Sequence, residues 1–522
     1  MDPIDRSEVG RRGRRNDPMT GTPAVLALDQ GTTGSTALVV ARDGRILGRA
    51  YSEFPQHFPR PGWVEHDAED IWETTRKVGL GAQEEARNRE RVQILSVGIT
   101  NQRETVVLWD RETLEPVHRA IVWQDRRTGG ICRELEEGGH LAEVRERTGL
   151  LLDPYFSGTK LTWVFRERPD LRSRAEAGEL VAGTVDAWLI ARLTGGRVEA
   201  TDPTNASRTL LYDIQERRWH PDLLTLFEVP EGILPEVRPS SGDFGTTLAE
   251  AIGVEVPVSG VAGDQQAALF GQGCWERGLA KNTYGTGAFL LLHTGGEVVA
   301  SEHGLVTTVA CGPSGEPQYA LEGSIFVAGA AVQWLRDGLG LLKTAADSEA
   351  MARSLSSNEG VYMVPAFVGL GAPHWKPDAR GVLTGLTRGT RPEHLVRAAL
   401  EAMAYSTSDV LTAMEADSGV EAEELRVDGA ASKNDWLMEF QSGILDLPVR
   451  RPAVVETTAL GAAGLAGLGS GVWKDADEFL EAQGRPRFFR SRMGEKERTD
   501  LLGGWNRALA AAEAAVGSGG SS

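Results

Sequence analysis

Two distant segments of this chain follow one plan, and that repetition limits the folds open to it. Residues 24–29 (AVLALD) form a nearly continuous apolar run ending in an acid, as a strand buried on both faces requires. The run enters a polar glycine turn, Gln30-Gly31-Thr32-Thr33-Gly34-Ser35-Thr36, and returns through apolar residues 37–41. Tyr284-Gly285-Thr286-Gly287 makes a second strand-to-turn glycine loop, followed by the apolar Leu290-Leu291-Leu292. Turns of this kind leave backbone N–H groups and hydroxyls bare, which suits an anionic group such as phosphate. Taken singly, each is also an ordinary tight turn; their duplication predicts two α/β halves of similar plan.

Length supports that division, because 522 residues exceed what one core accommodates. An apolar fraction of 41% with 25% charged residues excludes a disordered or membrane-embedded chain. No apolar run is long enough to span a bilayer. The net charge of -19 argues against nucleic acid or an anionic membrane surface as a partner, so any nucleotide must be held locally. Cys132, Cys274 and Cys311 are widely spaced and odd in number, which predicts neither a disulfide framework nor a zinc site and fits a cytoplasmic location. Residues 1–23 carry a basic run, Arg11 to Arg15, with no apolar segment behind it, and read as a disordered tail in which Met19 offers a second start. Residues 511–522 read as a flexible tail. Domain boundaries are expected at 24–262 and 263–510.

Residues 94–100 (ILSVGIT) read as a buried strand that delivers Asn101-Gln102-Arg103-Glu104 at its end, where α/β folds place ligand contacts. Arg103 and Glu104 offer a donor fork and an acceptor; on their own they read equally as a surface ion pair. Trp123, at another strand end, offers a flat apolar wall. In residues 260–289 a Gly-rich approach leads to Asp264-Gln265-Gln266, a carboxylate on a strand end and so a candidate general base. A helix over 327–342 begins with the small Gly329 and Ala330, which would let a nucleotide approach closely. Residues 460–468 read as a small-residue helix suited to close packing.

Taken together, DQGTT (29–33), GWVEHD (62–67), ITNQRET (99–105), DPYFSGTK (153–160), TNASRT (204–209), GDQQAALFGQ (263–272) and NTYGTG (282–287) resemble the glycerol kinases of the FGGY carbohydrate kinase family. ALEGSIFVAGAAVQWLRD (320–337), VPAFVGLGAP (364–373) and GLTRGT (385–390) extend the match in family order over residues 24–473. The resemblance implies two actin-like (ribonuclease H-like) ATPase domains around an interdomain cleft. It implies transfer of the γ-phosphoryl of ATP to glycerol, giving sn-glycerol 3-phosphate for glycerol catabolism and glycerolipid supply. By the family pattern Asp264 would be the general base. Arg103, Glu104, Tyr155, Asp264 and Gln265 would bond the glycerol hydroxyls, and Trp123 and Phe289 would wall its carbons. Asp29 would hold Mg²⁺; Thr32, Thr33, Gly34 and Thr286 would lie at the phosphates, and Gly329, Gln333, Ala430 and Asn434 at the nucleoside. Homodimers and homotetramers are common in the family.

This chain departs from the family pattern in four places. The usual DQGTTSSRA reads DQGTTGSTA here, losing a hydroxyl at Gly34 and a cation at Thr36, which predicts weaker ATP affinity. The usual VDGGA has Ala430 in place of a glycine. A Gly-Gly-x-Arg loop for fructose 1,6-bisphosphate is missing near Ala251-Ile252-Gly253-Val254-Glu255, so inhibition by that compound is not expected. The phosphorylatable histidine of some members is also missing around Ser241-Gly242-Asp243-Phe244. Rival expectations are a kinase for erythritol or a pentulose, and a non-catalytic nucleotide-binding protein of the same fold.

Overall fold

The computed structural model describes residues 21–517. The N-terminal half is built on a five-stranded sheet in the order β3-β2-β1-β4-β5. Its strands are β1 (Thr22–Gln30), β2 (Gly34–Ala41), β3 (Ile46–Glu53), β4 (Val92–Asn101) and β5 (Val258–Gly263). β1 pairs antiparallel with β2 and parallel with β4, and β5 continues the parallel side. Apolar β1 is buried on both faces, as a central strand must be. Helix α1 (Ala68–Arg89) covers one face; Asp67 caps it by accepting the Glu69 N–H at 3.0 Å.

The second half repeats this order. β6 (Leu279–Tyr284), β7 (Ala288–Gly295), β8 (Val306–Cys311), β9 (Pro317–Ile325), β10 (Glu424–Gly429), β11 (Val449–Arg451) and β12 (Arg487–Phe489) form a seven-stranded sheet ordered β8-β9-β7-β6-β10-β11-β12. Its inner part, β9-β7-β6-β10-β11, matches β3-β2-β1-β4-β5 strand for strand. In each half two successive antiparallel pairings run outward from one side of a central strand and two parallel pairings from the other. The glycine turns after β1 and β6 therefore occupy equivalent places, as the duplicated sequence pattern predicts.

Where the halves meet, helix α2 (Asp264–Gly271), which follows β5, packs on helix α6 (Thr457–Gly469), which follows β11. Contact here is backbone to backbone: a Cβ on Gly461 would lie 1.8 Å from the Ala267 carbonyl oxygen, and one on Gly271 would lie 2.1 Å from that of Thr457. The same helix touches β4 and β5, where Gly98 and Gly260 leave room for Ala462 and Ala466. Small residues on α6 are thus required by separation, as its composition suggests.

Several boundaries differ from the sequence expectation. β1 begins at Thr22, inside the segment read as tail, because residue 22 bonds the Arg91 carbonyl next to β4. The basic run Arg11 to Arg15 and the residues after Gly517 lie outside the described residues. Helix α7 (Glu495–Gly517) extends through residues 511–517, where a flexible tail was expected, since its apolar side reaches the core through Trp505, Ala508 and Ala512. Helix α3 (Gly329–Asp337) is shorter than the 327–342 pattern and stops at Gly338. Cys132, Cys274 and Cys311 are buried and unpaired, as their spacing predicts. No helix among the described residues is long and apolar enough to cross a membrane.

The α2–α6 contact yields a stability prediction. Gly461→Val is expected to destabilise the protein by about 3 kcal/mol or more, because the backbones must separate to admit the side chain. Urea unfolding with an unchanged midpoint would show that the two helices adjust freely.

Candidate active site

Asp264 is the first residue of α2 and not the last of a strand, as the sequence suggested: β5 ends at Gly263, which caps the helix in extended conformation. Gly263 must be small, since a Cβ there would meet the Arg103 side chain at 2.7 Å. The Asp264 carboxylate accepts the Gln265 N–H at 2.7 Å and lies 3.3 Å from Arg103 Nε. Its side chain keeps 30% exposure, enough for an acceptor molecule to reach it. Burial pushes its pKa up to about 6; Glu104 adds to the rise, and Arg103 and Lys281 oppose it. Asp29, half-buried at the end of β1, is pushed up to about 7 by burial and then by the Asp264 carboxylate. Among the described residues Asp29 has no side-chain ion pair or hydrogen bond. A carboxylate so placed, beside a second carboxylate and next to a glycine turn with Thr33 exposed, fits a divalent cation.

Arg103 and Glu104 are 2% and 1% exposed, which rules out a surface ion pair. Glu104 takes a left-handed backbone, φ 62°, which a bulky residue adopts only when its surroundings hold it there. Those surroundings are a Ser157 hydroxyl donating to its carbonyl at 3.0 Å and Arg208 Nε donating to its carboxylate at 2.6 Å. The Arg103 fork, expected to serve a ligand, instead donates to both oxygens of Glu322, at 2.5 and 2.9 Å. Its remaining Nε is buried without a hydrogen-bond partner, 3.3 Å from Asp264 and 3.8 Å from Glu104. An orphaned buried donor between two carboxylates is where a ligand hydroxyl would be held.

The aromatic residues close this place. The Tyr155 hydroxyl lies 3.4 Å from Arg103 Nη2, and its ring meets that of Trp123 edge-on at 5.6 Å. Trp123 Nε1 donates to the Thr32 hydroxyl at 2.8 Å, joining this wall to the first glycine turn. Phe289, half-buried on β7, stands opposite Thr283. Gln265 is buried and accepts from Lys281 Nζ, which also donates to Thr283 at 2.9 Å. Burial lowers the Lys281 pKa to about 8, with Asp428 and Glu322 opposing the shift.

Thr33 and Thr286 are exposed at the tips of the two turns. Gly34 has no room for a side chain: a Cβ would sit 2.6 Å from the Ser52 carbonyl oxygen and 2.9 Å from the Tyr51 hydroxyl. The first amides of α3, where small residues were expected to let a nucleotide approach, are already bonded. Gly329 N donates to Gly285 O at 3.0 Å, and Ala330 N to Thr286 O at 3.1 Å. They clamp the second turn, and a Cβ at Gly329 would meet Gly285 O at 2.6 Å. Gln333 and Ala430 are exposed on this side. The Asn434 side chain caps helix α5 (Asp435–Leu445) by accepting the Leu437 N–H at 2.9 Å and donates to Ser348 at 3.3 Å.

Sequence reading missed Arg208, Glu322 and Lys281 as members of the site. Each was visible as a lone charge in an otherwise uncharged stretch: Arg208 in TNASRT, Glu322 in YALEGS, Lys281 in LAKNTY. A charge in a central strand is seldom fully buried unless it is paired.

Both halves of the chain match one known family. The N-terminal domain model of the FGGY family of carbohydrate kinases matches residues 24–271, and its C-terminal domain model matches residues 280–470. The glycerol kinase of Petrotoga mobilis is 55% identical over 486 residues, 93% of this chain and 97% of that protein. The glycerol kinase of Listeria monocytogenes is 54% identical over 491 residues, 94% of this chain and 99% of its own. Among solved structures, Plasmodium falciparum glycerol kinase with ADP superposes with a TM-score of 0.89 at 35% identity, covering 94% of this chain and 98% of that one. With both domains matched and curated relatives followed almost end to end, the chain belongs to the glycerol kinases of the FGGY family of carbohydrate kinases.

Proposed function

We propose that this chain transfers the γ-phosphoryl group of ATP to a terminal hydroxyl of glycerol, using Asp264 as general base. The observation that carries the residue assignment is the convergence of Asp264, the unpartnered Arg103 Nε and Glu104 beside the Trp123–Tyr155 wall. One glycerol hydroxyl accepts from Arg103 Nε and donates to Glu104, while the hydroxyl to be phosphorylated donates to Asp264. Tyr155 and Gln265 bond the triol, and Trp123 and Phe289 cover its carbon skeleton. Holding the nucleophile in line supplies much of the rate in phosphoryl transfer, where little covalent work falls to the protein. Asp264, with its pKa raised to about 6, is largely ionised near neutral pH yet basic enough to take the proton as the hydroxyl attacks.

ATP would lie between the two glycine turns, its phosphates against Thr32, Thr33, Gly34 and Thr286 and its nucleoside against Gly329, Gln333, Ala430 and Asn434. Asp29 would hold Mg²⁺, which when bound supplies positive charge to the phosphate oxygens. The cytoplasm is the expected setting, and a homodimer or homotetramer the expected assembly. Insensitivity to fructose 1,6-bisphosphate is expected from Glu255, whose charge opposes a phosphate.

Coupled detection of ADP across glycerol, erythritol and xylulose tests the substrate assignment. Glycerol should have the highest kcat/KM; equal turnover of erythritol or xylulose would overturn it. Asp264→Asn should fold normally and lose at least about 10²-fold in kcat. In the wild type, kcat/KM should rise with pH through a midpoint near the Asp264 value of about 6, because below it the protonated acid cannot accept a proton. A flat profile from about pH 5 to 8, or near-normal turnover by Asp264→Asn, would remove Asp264 from this role.

The crowding at Gly34 changes what its missing hydroxyl means. Replacing it by serine should raise the KM for ATP, about tenfold for each 1.4 kcal/mol of strain passed to the turn. Steady-state titration of ATP decides this, and a lower KM would show that the turn admits the side chain.

A further inference from the structure

The side chains assigned to the acceptor hydroxyls are held from the opposite half of the molecule. Glu322 stands on β9 of the C-terminal sheet, paired with Leu291 on β7 and Val306 on β8. Its carboxylate crosses to the N-terminal half and accepts from both arms of the Arg103 fork and, at 3.0 Å, from Arg208 Nη2. Arg208 in turn holds Glu104 through Nε. The four side chains are at most 1% exposed and carry two positive and two negative charges, so the cluster is neutral. Burial alone would raise the Glu322 pKa, but Arg103 and Arg208 override it and hold it at about 2, so the bridge stays ionised. The cluster has two buried donors without partners, Arg103 Nε and Arg208 Nη1.

We propose that Glu322 is a positioning residue for the acceptor site: from the nucleotide-side sheet it sets the Arg103 guanidinium, and through Arg208 the Glu104 carboxylate, at the places that take the acceptor's hydroxyls. Turning the Arg103 fork onto Glu322 fixes the plane of the guanidinium and so the direction of its Nε–H bond. Anchoring Glu104 through Arg208 holds its strained backbone at φ 62°. Strand β9 makes a firm base, since three residues beyond Glu322 the Ile325 carbonyl packs where a Cβ on Gly287 would lie, 2.4 Å away. The acceptor site is therefore complete only when both halves are in register. This inference rests on the assignment of Arg103 and Glu104 to the acceptor in the proposed function.

The test is steady-state kinetics on the full-length enzyme with its best acceptor, glycerol and ATP being varied separately, alongside thermal unfolding. Three variants are compared: Glu322→Gln, the charge-balanced Glu322→Gln with Arg208→Gln, and Arg208→Lys, which keeps every charge but loses the planar fork. All folded variants should show the KM for acceptor raised about ten- to a hundredfold, with the KM for ATP changed far less. A merely structural role would lower the unfolding temperature and leave the acceptor KM of the folded enzyme unchanged. That outcome in Arg208→Lys or in the balanced pair overturns the proposal. If another polyol proves the best substrate, the glycerol assignment falls, but the same comparison with that polyol still decides the role of Glu322.

Discussion

The approach of α2 to α6 to within backbone contact is the constraint on which the site depends. Each helix leaves the last parallel strand of its own half, so their crossing fixes one sheet relative to the other. Asp264 is the first residue of α2, and the glycines that permit the crossing, Gly271 and Gly461, set how deeply that helix is seated. Displacement of the crossing would carry the carboxylate away from Arg103, and its neighbour Gln265 away from Lys281 on β6. A close-packed interior moves as units, so a small residue far from the chemistry can decide whether reacting groups meet.

Electrostatics in the cleft are organised locally against the charge of the whole. The chain carries -19, yet Arg103, Arg208 and Lys281 are gathered around Glu104, Asp264, Glu322 and Asp428. Burying charges is costly, and a buried pair is weak evidence for stability when compared with apolar residues of the same size. Their value here is directional: the neutral cluster of Arg103, Arg208, Glu104 and Glu322 leaves chosen donors and acceptors pointing at one spot. Asp29 and Asp264 differ in staying half-buried; burial raises their pKa, as it does that of Asp428, and among the described residues no cation pairs with Asp29. Those are the two carboxylates that a phosphoryl transfer to a hydroxyl would employ, one for a divalent ion and one for a proton.

Much of the fold was legible in the sequence because its signals are local. The apolar run ending at Asp29, the glycine turn beyond it and their echo near Tyr284 mark equivalent hairpins, and the two sheets follow the same order. Asp264, Arg103, Glu104 and Tyr155 do come together, while Trp123 joins them through Tyr155 and Thr32. What was not legible depends on contacts between residues distant along the chain. Nothing near Arg103 indicates that its fork is occupied by Glu322, or that the first amides of α3 are taken by the Gly285 and Thr286 carbonyls. Helix α7 escaped notice for the same reason, since its alanine-rich end looks like a tail until Ala508 and Ala512 meet the core.

The glycine turns also show why a departure from a family pattern cannot be read as a simple loss. Counting functional groups, Gly34 lacks a hydroxyl that a phosphate could have used. In the fold, Tyr51 and the Ser52 carbonyl fill the space that a side chain would need, so the glycine and its neighbours on β3 form one solution to packing that edge. Gly429 makes the converse case: with φ 81° and the Tyr284 carbonyl 2.3 Å from its would-be Cβ, it is fixed by sterics, while the adjacent Ala430 is exposed and free to carry a methyl. Glycine stands at 34 and 429, where the surrounding atoms leave no room for a side chain, and alanine at 430, where they do. On the proposed reading, nucleotide affinity in such a loop would follow from how closely its backbone lets the phosphates approach, more than from which hydroxyls can be counted along the sequence.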